Sequence, residues 1–564
     1  MKRLLTLLIT IMMLLSMFTA CDGGGSGVSS NSGGVKPVGE DGIPDLTGKT
    51  ITILTQDTWV SGLSLSSILP RFKQIEERTG CKIVWNTASG TDFNTVLQTQ
   101  LTGNFDECPD IIMLSTSNSA MAKYIDGGLL YDVTKAYDYC PNIKKFYEEY
   151  RTDLKTAFTY HDGGIYNLVA NVWRDPNAQT QWVSEYGDNA LFYRADIAEE
   201  LGYDSYPTTM DELHQLLLDV KAAYPDMVPM HMWSWGSWQS PTIFNSAYGL
   251  HFNNEQSSNY FYPDENGKIV FEPALDATKE WLKEMNQWYK EGLIVIGASE
   301  EAKIGSVAQG KTFSGFYSDV VIMCQGQLNT IDPNAYFMYM PFPSKEGYET
   351  TVMPRNEYSY YFAVVDNGDE ERCISALQFL DYAYLSDYGV YSEQGGVEGE
   401  GWSFAEDGSF VPNMDYIKML QTTDTVLQES GANIHYNGPS TYELEVRQAW
   451  AAAEKQAREE LGLEQVLSQK QEENWKAINA INVSNYCAAV PSVYYSEEDL
   501  EEYNVLAADL GTFVSEKLSQ YMLGTADLNN FQTEFVDYLY NKMNLQKVID
   551  IKQKYYDSWL ASQK

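Results

Sequence analysis

The 564-residue chain is poor in positive charge, in histidine and in long apolar runs. It has 38 Lys and Arg against 78 Asp and Glu, so its formal net charge of -40 repels nucleic acids and anionic membrane surfaces. Only five His are present, and neither the HExxH pattern of zinc proteases nor the GxSxG pattern of serine hydrolases occurs. We therefore expect no nucleic-acid partner, no metal, no cofactor and no catalytic residue.

Closely spaced cysteine pairs of the kind that bind metals or perform redox chemistry are also missing. After Cys21 six cysteines remain, and none belongs to a CxxC pair. An even number in an exported protein permits disulfide bonds in several pairings that a sequence cannot distinguish. Free buried thiols are equally acceptable, because a chain of this length does not need covalent cross-links. The six are Cys81, Cys108, Cys140, Cys324, Cys373 and Cys487.

The one long apolar run lies at the N-terminus. A charged start precedes an apolar segment, residues 4–18, which is shorter than the ~20 residues of a membrane span. This pattern predicts an export signal, residues 1–20. The residues at the end of that signal, Phe-Thr-Ala-Cys, resemble a bacterial lipobox with Phe in place of the usual Leu, and the residues after Cys21 are mostly Gly and Ser. We predict that Cys21 is lipidated and that residues 21–43 form a flexible linker.

Residues 190–220 carry local signals that agree with one another. An apolar run at residues 190–193 predicts a buried strand, a short helix follows, and Gly202 can end that helix in a left-handed conformation. Thr209 and Glu212 have the spacing of a capping box, which predicts the start of a second helix. Apolar residues then recur at helical spacing and form one stripe that can pack on a sheet. The stripe consists of Leu213, Leu216, Leu217 and Val220.

Strand and helix signals alternate at the start of the body. Residues 51–54, 81–85 and 109–114 predict strands, with amphipathic helices between them. This βαβαβ order predicts a parallel sheet with right-handed crossovers. Open α/β sheets bind ligands beyond the carboxyl ends of their strands. Ser115 and Asn118 follow the third strand and are therefore candidate ligand-binding residues.

Several later segments have clear local signals. Residues 262–270 predict a hairpin with an Asn-Gly turn, and residues 313–321, 335–341 and 358–365 predict strands. Helices dominate from residue 370 onward, including one at residues 528–543.

Two segments superficially match ligand-binding motifs. Residues 305–312 satisfy GxxxxGK[ST], but a predicted helix precedes them and a strand comes after them, which is the reverse of a phosphate-binding loop. Residues 264–267 superficially resemble the start of a calcium loop, in which the twelfth residue is a Glu that binds the ion. Counted from Asp264, the twelfth residue here is Leu275, so the segment lacks this ligand. The segment after the helix that starts near Thr209 is too short and too poor in carboxylates for a calcium site. We expect neither a phosphate nor a structural calcium site.

Taken together, four segments resemble the family 1 extracellular solute-binding proteins of ABC importers, in particular their large lipoprotein subgroup. They are Cys108–Ile112, Asp162–Tyr166, Ala190–Leu213 and Gly395–Gly399. The resemblance implies an α/β chain with a two-lobed fold like the type II periplasmic binding proteins, with hinge crossovers and a helix-rich C-terminal part. The implied boundaries are 44–170 and 317–357 for lobe 1, and 171–316 and 358–564 for lobe 2.

Aromatic residues in loops indicate the kind of ligand. Residues 233–238 place three Trp beside small polar residues, and flat rings with a few hydrogen-bonding groups complement a sugar. At least one of these Trp is expected to pack on the core of its own lobe. The predicted ligand-binding residues are Trp59, Ser115, Asn118, Asn171, Trp173, Trp233, Trp235, Trp238, Tyr317, Asp319, Arg355 and Glu398.

The sequence therefore predicts a monomeric binding protein that is not an enzyme. It would be held by a lipid on the extracellular face of the bacterial cytoplasmic membrane, close around an oligosaccharide and dock on an ABC permease. The acidic surface favours a neutral ligand, but Arg174, Arg194 or Arg355 would make the pocket locally basic. Two alternatives stay open: an exported polysaccharide-degrading enzyme, and a surface protein for adhesion or sensing with the same fold.

Overall fold

The computed structural model describes residues 35–562 with several gaps. The gaps are 58–69, 90–91, 103–107, 115–117, 187–189, 234–240, 253–259, 299, 317, 353–359, 423–437, 464–466 and 488–492. The chain divides into a short N-terminal unit, Met1–Lys36, and a body, Pro37–Lys564, to which all elements below belong.

Within the described ranges, the strands form two larger sheets and three short pairs. They are β1 Thr50–Gln56, β2 Lys82–Ala88, β3 Ile111–Leu114, β4 Leu168–Ala170, β5 Val172–Trp173, β6 Leu191–Arg194, β7 Val228–Trp233, β8 Phe261–Pro263, β9 Ile269–Phe271, β10 Ile294–Ala298, β11 Thr312–Phe316, β12 Phe337–Met340, β13 Tyr360–Val364, β14 Trp402–Phe404, β15 Phe410–Pro412 and β16 Thr441–Tyr442.

Helices cover these sheets and make up most of the C-terminal part. They are α1 Pro70–Thr79, α2 Phe93–Thr102, α3 Asn118–Asp126, α4 Pro141–Lys145, α5 Thr152–Phe158, α6 Ala178–Tyr186, α7 Ala195–Glu200, α8 Met210–Ala223, α9 Asp276–Lys290, α10 Glu300–Ala308, α11 Ser318–Ile331, α12 Glu370–Leu380, α13 Asp387–Gly395, α14 Met414–Leu420, α15 Leu444–Glu460, α16 Gln469–Ser484, α17 Glu497–Leu523, α18 Asp537–Lys542 and α19 Leu545–Ser562. Shorter 3₁₀ and π turns are Val133–Ala136, Phe146–Tyr150, Pro241–Tyr248, Glu272–Ala274, Asp381–Leu385, Leu528–Asn530 and Phe531–Val536.

Lobe 1 is built around a five-stranded sheet in the order β2-β1-β3-β13-β4. β1 runs parallel to β2 and β3, whereas β13 is antiparallel to both β3 and β4. The βαβαβ prediction for the first three strands is confirmed. Because β13 comes late in the chain yet lies between two early strands, the chain returns to lobe 1 after forming the sheet of lobe 2.

Lobe 2 is built around a second sheet in the order β10-β7-β11-β6-β12. β7 is parallel to β10 and β11, and β6 is antiparallel to β11 and β12. On one face α8, α9, α17 and α19 contribute to a large apolar cluster, and α10, α11 and α16 contribute to a smaller cluster on the other. The C-terminal helices therefore complete lobe 2.

The strand pairing corrects the boundaries that the resemblance implied. Residues 318–352 belong with lobe 2, because β12 pairs with β6. Residues 360–422 belong with lobe 1, since β13 pairs with β3 and Arg372 on α12 forms an ion pair with Asp110. The reason is that the chain crosses between the lobes after β12 rather than before it.

Local predictions for residues 190–220 are confirmed. β6 is followed by α7, Gly202 has a φ of 89°, and the Thr209–Glu212 capping box forms with both of its hydrogen bonds. The predicted stripe on α8 is entirely buried, with Leu213, Leu216 and Leu217 each 0% exposed. This helix therefore packs on the sheet of lobe 2 as its sequence predicts.

Two later predictions need correction. The strand predicted at residues 313–321 ends at Phe316, and α11 begins at Ser318. The helix predicted at residues 528–543 begins as a 3₁₀ turn and passes through the π turn Phe531–Val536. A π turn changes the angular phase of a helix, so Phe531 and Phe535 are buried while Tyr538 is 44% exposed.

Candidate ligand site at the lobe crossover

The carboxyl ends of the parallel strands define where a ligand would bind in each lobe. Three predicted residues follow such strands: Trp233 ends β7, Asn118 begins α3 after β3, and Asp319 lies at the start of α11 after β11. Their side chains lie outside the described part of the structure. Trp59, Ser115, Trp235, Trp238, Tyr317, Arg355 and the predicted lipid-bearing Cys21 lie outside it altogether.

Asn171 follows β4 and begins the crossover, residues 171–174, where the chain leaves the lobe 1 sheet on its way to lobe 2. Its φ of 62° is left-handed, a conformation that Asn tolerates better than most non-glycine residues. The Asn171 N–H donates to Ser440 Oγ at 3.1 Å, and its Oδ1 accepts from the Tyr442 hydroxyl at 2.7 Å. Because β5 also pairs with β16, these bonds fasten the crossover to the segment before α15.

A group of aromatic rings and one arginine surrounds this crossover. We call it the crossover cluster: Trp173, Trp182, Tyr442 and Arg447. The Trp173 ring lies 6.0 Å from that of Trp182 and 5.5 Å from that of Tyr442. The Arg447 guanidinium carbon lies 3.8 Å from the centre of the Tyr442 ring, a cation–π distance. Trp173 itself is 7% exposed, whereas the other three are half-buried, so they offer most of the accessible surface.

Two buried arginines hold the crossover strand in place. Arg151 Nη1 donates to the Trp173 carbonyl at 2.9 Å, and its Nη2 donates to Asp153 at 2.6 Å. Arg174 Nη1 donates to Asp387 and Glu443 at 2.8 and 2.6 Å. These contacts tie the crossover to two segments of lobe 1.

The electrostatics of these arginines bear on the ligand. Burial acts to lower the pKa of Arg174, but Glu443 and Asp387 outweigh it, and the pKa is raised. The Arg174 charge is thus compensated by two carboxylates. Arg194 pairs in the same way with Asp196 at 2.5 Å. Neither arginine therefore makes a ligand pocket basic.

Glu398 does not join the crossover cluster. It forms an ion pair with Arg78 near the end of α1, and its N–H donates to Gln74 Oε1 at 2.9 Å. α1 ends at the edge of lobe 1 where β1 begins, since Leu46 and Gly48 bond back to Thr79 and Gly80. Glu398 therefore contacts the edge of the sheet opposite to the strands' carboxyl ends.

The sequence analysis missed Ser440, Tyr442 and Arg447. Tyr442 and Arg447 lie in a segment whose pattern predicts only a helix, and their partners are far away along the chain. Asn171, Trp173 and Trp182 precede them by more than two hundred residues, so no local signal could have paired them.

Metal-ligating side chains and cysteine thiols were compared among the described residues. In this part of the chain no group of three His, Cys, Asp or Glu side chains could hold a metal ion. The six cysteines other than Cys21 are free thiols, and burial raises the pKa of Cys324 and Cys373 to about 11. These thiols are protonated at neutral pH and are poor nucleophiles. The arrangement can hold a ligand by ring faces, hydrogen bonds and one guanidinium.

A comparison with known protein families decides the class. Residues 59–390, more than half of the chain, match the model of the bacterial extracellular solute-binding proteins. The chain belongs to this family. The predicted family is thereby confirmed, while a search of curated proteins gave no match.

Solved structures confirm the two-lobed fold of this solute-binding family. An alginate-binding protein, AlgQ2, superposes with a TM-score of 0.68 at 19% identity, covering 91% of this chain and 99% of its own. FusA of Streptococcus pneumoniae, solved with kestose, gives a TM-score of 0.68 at 19% identity over 91% and 100% of the two chains. An extracellular solute-binding protein of Bifidobacterium longum subsp. infantis gives a TM-score of 0.63 at 18% identity, covering 91% of this chain and 98% of its own.

A search of the helices for membrane spans gave a negative result. Within the described ranges, no helix combines the length and the apolar character that crossing a bilayer requires.

Proposed function

We propose that this chain is the lipid-anchored substrate-binding component of an ABC importer and that it binds an oligosaccharide between its two lobes without chemical change. Family membership supports the role in solute binding. The crossover cluster supports the ligand class, because Trp182 contributes a half-buried indole ring and Arg447, which stacks on Tyr442, contributes N–H donors. A sugar ring has an apolar face and a hydroxyl rim, to which this combination is complementary.

The position of the crossover cluster connects binding with movement. Trp173 and Tyr442 lie on the paired strands β5 and β16. Trp182 lies on α6, which packs against α16 of lobe 2. A ligand that contacts this cluster and the strand ends of both lobes would favour the closed arrangement by the difference in its contacts between the two states. The closed form would then be the one that a permease recognises.

A thermal-shift screen of the full chain tests the ligand class. We expect neutral oligosaccharides to raise the melting temperature, and peptides and amino acids to leave it unchanged. Slow hydrolysis of a bound glycan that requires one particular carboxylate would instead establish an enzyme. Shifts with peptides but none with a broad set of oligosaccharides would refute the sugar proposal.

Variants of the crossover cluster test the site. Trp182→Ala should weaken the binding of an oligosaccharide by about tenfold, since stacked aromatic contacts contribute ~1 kcal/mol or more. Trp85→Ala, in β2 and outside the cluster, is the matched control and should bind normally. Equal affinity of the Trp182 variant and the wild type, measured by titration calorimetry, would remove the crossover cluster from the proposed site.

The anchor and the transporter partner need separate experiments. Mass spectrometry of the mature membrane fraction should find Cys21 carrying diacylglycerol, and an unmodified Cys21 would refute the anchor. Co-purification from membranes should recover a permease in the presence of ligand. A gene neighbourhood without permease genes, together with no recovered permease, would favour a role in adhesion or sensing.

A further inference from the structure

A cavity of about 470 Å³ lies between lobe 1 and the C-terminal helices of lobe 2. Its lobe 1 wall is polar and includes Asp126 and His161, and its lobe 2 wall is aromatic and includes Tyr494, Tyr555 and Trp559. The volume falls within the range of small-molecule sites. A cavity with one polar and one aromatic wall can hold a ligand by two kinds of contact.

This cavity is separate from the proposed ligand site. α3 begins beyond the carboxyl end of β3 and runs back to Asp126, at the opposite end of the lobe 1 sheet. The Leu130–Val365 bridge, which follows α3, lies next to Ile111 at the amino end of β3. Asp126 therefore lies at the edge of the sheet opposite to the edge where the predicted ligand-binding residues begin.

The aromatic wall is held by hydrogen bonds and ring contacts. The Tyr555 hydroxyl donates to Asp499 Oδ2 at 2.6 Å and accepts from the Ser496 N–H at 2.6 Å. Tyr494 packs edge-on against Tyr160 at 4.9 Å between ring centres, and the Tyr160 hydroxyl donates to Asp126 at 2.7 Å. The two walls are thus positioned relative to each other by direct contacts.

The charges around the cavity favour a cation. Asp126 and Glu497 line it, and none of the described lining residues is a lysine or an arginine. Lys554, on the same helix as Trp559, is already paired with Asp499 at 2.6 Å. A further ammonium group, that of Lys552, lies behind Tyr495, donates to its hydroxyl at 3.4 Å and is enclosed by rings.

Helix ends add to this negative potential. The last turns of α3 and α19 line the cavity through Asp126 and Trp559, and the C-terminal end of a helix carries partial negative charge. One helix, α17, points its amino end at the cavity. Its first turn contains Glu497, Glu498 and Asp499, which offset the partial positive charge of that end.

We propose that this cavity is a binding site for an organic cation, a protonated or quaternary amine. The rings of Tyr494 and Trp559, which line the cavity, attract a cation through their quadrupoles, whereas the Tyr555 ring already has the Lys554 ammonium 5.3 Å from its centre. Asp126 and Glu497 supply the compensating charge. An anionic ligand would meet two carboxylates and two negative helix ends, and an uncharged ligand would lack the electrostatic part of the interaction.

Calorimetric titration of the full chain with choline chloride tests this proposal, with 3,3-dimethylbutan-1-ol as the uncharged isostere. We expect choline to bind at one site and the isostere to give no measurable binding. The double variant Asp126→Asn/Glu497→Gln should bind choline about tenfold more weakly, since two partly exposed charge contacts are lost. Trp559→Ala should weaken binding in the same direction.

A matched control separates the site from the acidity of the whole chain. Asp138→Asn/Glu516→Gln removes the same number of charges from the same two lobes, at exposed positions that do not line the cavity and lie away from the first turn of α17. It should bind choline like the wild type. Three outcomes would overturn the proposal: no choline binding, equal binding of the isostere, or equal weakening in the control variant. None of them bears on oligosaccharide binding at the crossover.

Discussion

The two lobes share an α/β architecture but hold their segments together by different interactions. In lobe 1, ion pairs with at least one buried member join parts of the chain that are far apart in sequence, as in Arg71–Glu393 and Asp110–Arg372. In lobe 2, one apolar cluster joins the sheet to the C-terminal helices, with Trp281 and Trp288 both 0% exposed. The distant segments of lobe 1 thus depend in part on matched ion pairs, and the C-terminal helices of lobe 2 depend on the close packing of apolar side chains.

The largest effect is expected from breaking the buried ion pair of lobe 1. Glu393→Gln should lower the free energy of unfolding by about 3–5 kcal/mol, because it leaves the fully buried Arg71 guanidinium without a counter-charge. Hydrogen exchange should show faster opening in lobe 1 than in lobe 2. Glu148→Gln, which removes an exposed pair with Lys155, should change stability by less than about 1 kcal/mol. Equal effects of the two variants would contradict this account of lobe 1.

Removing a buried apolar side chain from the core of lobe 2 should lower the free energy of unfolding somewhat less. Leu217→Ala should destabilise the protein by about 3 kcal/mol, since the side chain is 0% exposed and belongs to the stripe of α8. Denaturant unfolding measures this, and Leu463→Ala, at a position 37% exposed, is the control. If the two changes have the same effect, close packing does not dominate lobe 2.

The pH dependence of lobe 1 should follow Asp381. This carboxyl is 1% exposed, and burial raises its pKa to about 7, although the Ile143 N–H and the Asn142 side chain donate to it. Between about pH 4 and pH 7 the folded state keeps a proton that the unfolded state has lost, so stability falls as pH rises. Asp381→Asn should remove up to about 1.4 kcal/mol per pH unit of this slope. An unchanged slope in urea titrations at several pH values would refute it.

In lobe 2, the buried His231 should make stability change with pH in the opposite direction. Burial, with a contribution from Lys303, lowers the pKa of this imidazole to about 4, and neither of its ring nitrogens has a hydrogen-bond partner among the described residues. Between about pH 4 and pH 6.5 only the unfolded state is protonated there, so stability rises with pH. His231→Leu should remove this contribution, so that the stability of the variant falls more steeply with pH over this range than that of the wild type, while the slope due to Asp381 stays. An unchanged slope in the variant would assign the contribution to other groups.

The smallest effect is expected at the start of α8. Thr209→Ala should cost about 1 kcal/mol, since the hydroxyl accepts from the Glu212 N–H at 3.1 Å in the capping box. Thr209→Ser keeps this acceptor and should restore most of the loss in thermal unfolding. If the Ser variant is as unstable as the Ala variant, the cap contributes through packing of the Thr methyl group instead.

Local structure was predictable where its signals lie close together in sequence. The strand β6, the Gly202 turn and the cap and stripe of α8 follow from residues within one or two helical turns of each other, and the structure has all of them. The lobe boundaries did not follow, because they depend on β12 and β13 pairing with strands far away in the chain.

The candidate site was predictable only in part. Asn171 and Trp173, which the sequence analysis names as ligand-binding residues, lie at the crossover. The residues that contact them, Ser440 and Tyr442, come from a segment whose pattern predicts only a helix. For Glu398 the motif was recognised in the sequence, but the contact of its side chain was not. Its motif belongs to the family pattern, but the side chain pairs with Arg78 on α1, and pairing of this kind is set by tertiary packing.

The insertion of β13 between β3 and β4 also has a consequence for the order in which the chain folds. The edge of β3 cannot be covered until residues 360–364 have been made, and by then the whole sheet of lobe 2 has been synthesised. Closing such a long loop is slow, and β3 exposes an unpaired edge in the meantime. We therefore expect an emerging chain to remain incompletely folded until its last third is available, a state compatible with passage through an export channel.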